Sequence, residues 1–198
     1  MSSQTDAGFW HADNQTMSRF WILGWVSVAL SGCSPALNWR TVSLEPLGLS
    51  ASLPCKPDRL ERSIELAGAP VQVHMAGCAA DGATVAVACA ELPPSALAGA
   101  ALAHWRTAVL VALRAPPVGE AGAAKDQPFV PSGALVLPQS VRTQAQGQQP
   151  DGSGTVFMDA AWFARLQGTQ LQVCHGVVYS TQPRPEVADV LLDGLVLQ

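Results

Sequence analysis

A short apolar segment near the N-terminus is the feature that most limits how this chain can fold. After Arg19, residues Phe20–Leu30 form a run of eleven residues that is almost entirely apolar. A positive charge, then an apolar stretch of this length, then small residues, is the order typical of a secretory signal. As a helix the run would span about 17 Å, against a hydrocarbon core of roughly 30 Å. We therefore expect cleavage. The alternative is an uncleaved segment that anchors the protein in the inner membrane.

The end of this segment resembles a bacterial lipobox. It consists of a branched apolar residue, two small residues and a cysteine: Leu30, Ser31, Gly32 and Cys33. The resemblance implies that residues 17–32 are a lipoprotein signal peptide and that the Cys33 sulfur accepts a diacylglyceryl group. Several acyl chains anchor a protein stably where a single chain would be marginal. Because Ser34 and not Asp follows, the resemblance implies the periplasmic face of the outer membrane. The alternative is a short buried helix that ends in cysteine.

The predicted signal peptide separates an N-terminal targeting region from the rest of the chain. Residues 1–16 are polar, and Met17 opens a well-formed signal, so we expect residues 1–16 to be a disordered extension or a mis-assigned start. Residues 33–37 would be a lipidated tether, and residues 38–198 a single domain. The chain is 13% charged, with a net charge of −4 and no block of Lys or Arg. This composition excludes a disordered acidic tail and gives no sign of nucleic-acid binding.

The hydrophobic periodicity of residues 38–198 predicts strands, a helix, more strands and a C-terminal helix. In Val71–Cys78, apolar and other residues alternate with period two, as in a half-buried strand. Strands are predicted at residues 37–44, 49–53, 63–66, 71–78, 83–90, 133–137, 140–146 and 169–180, with a further apolar segment at 155–166. A helix is predicted from an N-cap at Ser95 to about Arg114, and a second one after Pro183. We therefore expect an α+β domain in which one long helix and a C-terminal helix pack against a mainly antiparallel sheet.

The order of these elements resembles that of a group of small proteobacterial lipoproteins and, more distantly, the Mog1/PsbP-like fold. The resemblance covers about residues 37–198 and rests on the order of Asn38–Arg40, Leu53–Asp58, Met75–Cys78 and the helix around Trp105. Its most specific segments are Leu53–Asp58 and Gly77-Cys78. It implies a curved antiparallel sheet with helices packed against it and no common active site. Members of a fold bind unrelated partners, so no catalytic residue is carried over.

Four of the five cysteines lie in the predicted domain: Cys55, Cys78, Cys89 and Cys174. An even number in an exported domain suggests two disulfides, for which three pairings are possible. We favour Cys55–Cys78, because the intervening hairpin can bring a strand end back beside its start. Cys89–Cys174 would then require two neighbouring strands. The alternative is buried free thiols. No Cys-x-x-Cys motif and no pair of histidines at helical spacing occurs, so no metal or cofactor is expected.

Several residues could suggest catalysis, and none is predicted to be catalytic. Cys174 and His175 are adjacent, and neighbouring side chains on a strand point to opposite faces. His74 could meet His175 only through the tertiary fold. Asp159 has no second acid at a matching spacing. The charged stretch Lys56–Arg62 carries both signs, which favours a solvated turn over a partner-binding loop.

These observations lead to three functional hypotheses. The first is a non-enzymatic envelope lipoprotein, an adaptor or accessory module held at the membrane by its lipid, with an envelope protein as partner. The second is a binder of a small molecule or lipid in a groove between sheet and helix, lined by Trp105 or Trp162. The third is an enzyme, which would require His74, His175 and a carboxylate to converge in one cleft.

Overall fold

A computed structural model describes residues 36–93, 97–149 and 151–198, and these residues form ten strands and two helices. In chain order the elements are β1 (Arg40–Leu44), β2 (Leu49–Leu53), β3 (Asp58–Leu66), β4 (Ala69–Ala80), β5 (Ala83–Glu91), α1 (Ala98–Ala112), β6 (Lys125–Pro128), β7 (Val141–Gln148), β8 (Thr155–Gln167), β9 (Gln170–Ser180), α2 (Pro185–Asp193) and β10 (Val196–Leu197). The predicted N-cap Ser95 lies outside the described residues.

The strands form two sheets. Seven strands form the large sheet in the order β3-β4-β5-β9-β8-β7-β6, and every neighbouring pair is antiparallel. The small sheet has the order β1-β2-β10, also antiparallel. The class predicted from the sequence, α+β with a mainly antiparallel sheet, is confirmed. Neither helix of the described residues has the length and apolar character that crossing a membrane requires.

The large sheet is covered on both faces, so the domain has two hydrophobic cores. The α1 core lies between α1 and the large sheet, and contains Leu102 and Trp162. The α2 core lies on the other face, under α2 and the small sheet, and contains Leu49 and Phe163. Because β5 and β8 are buried on both faces over most of their length, their sequences are nearly continuously apolar instead of alternating.

The charged stretch Lys56–Arg62 was predicted as a solvated turn, and this prediction is wrong for most of its length. From Asp58 onward it belongs to β3, an edge strand that pairs with β4 from Asp58 to Leu66. Its charged side chains are exposed, as is common on edge strands, where charge discourages pairing with another chain. Alternating charges therefore marked an edge strand and not a turn.

The predicted strand at residues 133–137 is also wrong. This segment has no strand ladder: the Leu135 amide donates to the carbonyl of Ala164, and Ser132 forms an isolated bridge with Val196. The Ala134 amide is bonded to nearby Pro131, so the segment combines one distant hydrogen bond with local turn bonds instead of pairing with a neighbouring strand. Two short strands, β6 and β10, are not among the strands predicted from the sequence.

The C-terminal end of α1 lies directly on the sheet because β7 has a glycine there. The Gln148 amide donates to the Leu113 carbonyl over 2.9 Å. A Cβ placed on Gly147 would lie 2.1 Å from that carbonyl oxygen and 2.4 Å from Leu113 Cγ. Any side chain at this position must therefore push α1 away from the sheet.

We expect Gly147→Ala to lower the free energy of unfolding by about 3 kcal/mol, at the upper end of typical overpacking effects. Gly176→Ala is the matched control in the same sheet, because the nearest atom to its added Cβ, Leu195 Cδ1, is 3.4 Å away. Urea titrations at pH 7 should show a change below about 1 kcal/mol for the control. Equal effects of the two substitutions would contradict the close approach at Gly147.

Candidate functional site

The structure joins the four cysteines of the domain in two disulfides. Cys55, just before β3, is bonded to Cys78 of β4, with their Cα atoms 6.0 Å apart. Cys89 of β5 and Cys174 of β9 are bonded across directly opposed register positions, with Cα atoms 4.1 Å apart. This is the pairing favoured from the sequence. The lipobox residues Leu30, Ser31, Gly32 and Cys33 lie outside the described residues, so cleavage and lipidation stay predictions.

His175 lies in the α1 core between two tryptophan rings. Its ring is stacked on Trp162 at a centroid distance of 4.8 Å and an interplanar angle of 13°, and meets Trp105 edge-on at 5.5 Å. Burial lowers the pKa of His175 to about 3, so the imidazole is neutral at pH 7. Its Nε2 atom is enclosed and has no hydrogen-bond partner among the described residues. His175 is thus part of the hydrophobic packing.

The residues considered for catalysis are kept apart by the sheet. Cys174 is in the α2 core and disulfide-bonded, whereas His175 faces the α1 core. His74 alternates with the α1-core residues of β4, so it lies on the opposite face from His175, and its Nδ1 is 3.2 Å from Glu61 Oε1. The convergence that the enzyme hypothesis needed is not formed. The described residues also contain no group of three or more side chains that could hold a metal ion.

Asp159 is engaged in a structural ion pair. Arg142 donates to both of its oxygens, from Nε over 2.7 Å and from Nη2 over 2.6 Å. The Nη1 atom of Arg142 is 2.8 Å from Asp189 Oδ1. The hydrogen bond with Asp159 is the main cause of a raised pKa for Arg142, which stays charged. Arg142 therefore links β7, β8 and α2, and Asp159 serves this link.

An open cavity of about 450 Å³, which we call the α1 groove, lies between the end of α1 and the large sheet. Val109 of α1 and Leu113, which directly follows the helix, form one side, and Val156 of β8 and Tyr179 of β9 form the other. Neutral polar side chains, among them Gln148, complete the lining, which contains no charged residue. Neither Trp105 nor Trp162, which the small-molecule hypothesis placed in such a groove, lines this one, because both are buried and packed against His175.

Tyr179 is the polar residue of the groove that sequence reasoning missed. Burial raises its pKa to about 12, so its phenol is neutral at physiological pH. The alternation Val173, His175, Val177 along β9 already indicated one shared face, and Tyr179 continues it. That signal was present in the sequence, but only the position of α1 shows that this end of the face is left open.

A second cavity, of about 340 Å³, lies beside the first turn of α2. Its lining carries both signs of charge, with Lys125, Asp159 and Arg184. Arg184 is bonded to Asp81 and Glu186, and Asp159 to Arg142. Arg184 and Asp159 are therefore already neutralised by side chains of the protein itself.

Comparison with known proteins assigns no family to the chain. No protein-family model matches it, and no curated protein sequence matches it. Its function must therefore be inferred from its own residues.

Proposed function

We propose that this protein is a non-enzymatic lipoprotein of the bacterial envelope, in which lipidated Cys33 holds the domain at the periplasmic face of the outer membrane as an adaptor or accessory module. The observation that carries the proposal is the use of the cysteines. The two disulfides consume four of five, and the fifth is the one at the lipobox-like motif.

The disulfides and the lipobox support each other. Disulfides form and persist in oxidising compartments such as the bacterial periplasm, which a signal peptide would reach. A thioether on Cys33 would leave an exported domain without a reactive thiol that could exchange with its disulfides. Cytosolic residence would leave both bonds exposed to a reducing environment.

The role as an adaptor rests on the tether and the fold. Residues 33–37 could extend by at most about 18 Å, so the domain would stay close to the membrane surface. We infer a Mog1/PsbP-like arrangement, supported by an antiparallel sheet that carries a helix on each face. The separation of His74 from His175 by the sheet supports a role in binding rather than catalysis. The partner we propose is another envelope protein.

The experiment compares the full chain with Cys33→Ala in a membrane-fractionated bacterial host, using radiolabelled palmitate and intact mass. We expect the wild type to be labelled and to lack residues 17–32, and the variant to be unlabelled. Ser34→Ala is the matched neighbouring control and should keep the label. An unlabelled wild type with residues 17–32 still attached would overturn the proposal and favour the inner-membrane anchor.

The same host tests the location. Ser34→Asp should keep the palmitate label but move the protein from the outer-membrane to the inner-membrane fraction, because Asp after the lipidated cysteine would change its sorting. Unchanged fractionation of Ser34→Asp would contradict the outer-membrane assignment without affecting the lipid anchor.

A further inference from the structure

We propose that the α1 groove is a binding site for an uncharged single-chain amphiphile, whose chain packs on the apolar walls and whose neutral polar group meets the rim. This activity would be additional to the proposed role as a lipid-anchored adaptor and does not depend on Cys33. The proposed ligand would be recognised at the C-terminal end of α1, and not beside Trp105 and Trp162.

The size and lining of the groove define the class of ligand. Its volume of about 450 Å³ lies within the range of roughly 300–1,000 Å³ that small-molecule sites occupy. Val109, Leu113 and Val156 offer apolar contact, while Thr84 and Gln148 offer neutral hydrogen-bonding groups. No charged side chain lines the groove, and Arg114, which lies outside the lining, already donates to Gln148. An ionised ligand would therefore lose hydration here without meeting an unpaired opposite charge, which is unfavourable. The groove therefore favours neutral ligands.

Tyr179 offers a polar group that no described residue uses. Among the described residues nothing hydrogen-bonds its hydroxyl, and its oxygen is not one of the enclosed atoms that lack a partner. The hydroxyl oxygen is therefore not fully enclosed, and because Tyr179 lines the groove, the hydroxyl is a candidate donor to a carbonyl or hydroxyl of a ligand there. A buried apolar ring with an accessible hydroxyl suits a molecule that has both a chain and a neutral head.

The walls of the groove are held in place before any ligand binds. The Gln148 amide fixes the end of α1 through the Leu113 carbonyl, and Arg114 Nη1 donates to Gln148 Oε1 over 3.1 Å. On the opposite side, Gly82 lies in the lining, and the adjacent Asp81 is bound by Arg184. Because the walls are fixed by these contacts, a ligand would lose little affinity to ordering the site.

The test is photocrosslinking of the full-length protein in bacterial membranes with a monolauroylglycerol analogue that carries a diazirine in its acyl chain. We expect saturable labelling of residues 109–113, 156 and 179, identified by mass spectrometry. The lauric acid analogue with the same diazirine, which is anionic at pH 7, should label these residues about tenfold less at equal concentration. Ala112→Trp fills the groove and should reduce labelling by about tenfold or more. Ala103→Trp, the same substitution at an exposed position of α1 outside the groove, should not.

Tyr179→Phe removes only the hydroxyl and should reduce labelling by about two- to tenfold, the range expected for one hydrogen bond. The proposal is overturned if the groove residues are not labelled saturably, if Ala112→Trp and Ala103→Trp label equally, or if the anionic analogue labels as strongly as the neutral one. Intact mass of the same samples reports lipidation of Cys33. A labelled groove on an unlipidated chain would thus refute the anchor alone, and an unlabelled groove on a lipidated chain would refute the binding site alone.

Discussion

Replacing Cys89 and Cys174 together by alanine is expected to lower the free energy of unfolding by about 4–5 kcal/mol. The bond joins residues 85 positions apart in sequence, so it removes a large amount of loop-closure entropy from the unfolded chain. Both cysteines are fully buried in the α2 core, so losing the two sulfurs also leaves unfilled space there. Urea titration at pH 7 under non-reducing conditions measures the effect.

The double substitution of Cys55 and Cys78 is the matched comparison. These residues are 23 positions apart and half-buried, and the same entropy argument gives about 3–3.5 kcal/mol. We therefore expect loss of the Cys89–Cys174 disulfide to lower the free energy of unfolding more than loss of the Cys55–Cys78 disulfide. The reverse ranking would show that loop length does not dominate the stabilisation by these two disulfides.

Acidification from pH 7 to pH 4 is expected to cost about 3 kcal/mol of stability through His175 alone. Its pKa is about 3 in the folded protein and 6.5 in the unfolded chain, so between these values the unfolded state binds more protons. The contribution of neutral His175 to the free energy of unfolding is fully present above pH 6.5 and is lost as the pH falls from 6.5 toward 3. The physical cause is the enclosed position between Trp105 and Trp162, where the charged imidazolium would lose its hydration.

His175→Phe isolates this contribution. Carboxylates with lowered pKa values, such as Glu186, also reduce stability in acid, but they are present in both proteins and cancel in the difference. Whatever the phenylalanine costs at pH 7, the variant should lose about 3 kcal/mol less than the wild type between pH 7 and pH 4. Identical pH profiles of urea unfolding would show that His175 is not kept neutral by burial.

The sequence by itself was enough to predict the class of the fold and the strands β4, β5 and β9, and it favoured the cysteine pairing that the structure has. Residues 155–166, which form most of β8, were recognised only as an apolar segment. Period-two alternation along β4 and β9 is a local signal, because side chains on a strand alternate between faces regardless of the partner strand. The pairing of Cys55 with Cys78 followed from the hairpin between them, and Cys89–Cys174 followed by elimination. The lipobox-like motif at Cys33 is likewise contained in a few consecutive residues.

Only the tertiary structure decided the features that depend on distant partners. The short strand β10 exists because it pairs with β2, far away in sequence. Residues 133–137 are not a strand, because only the Leu135 amide reaches a distant strand, at Ala164. The enclosure of His175 and the opening of the α1 groove both depend on where α1 crosses the sheet. That crossing is set by close contact at Gly147, a long-range steric condition that no local periodicity encodes.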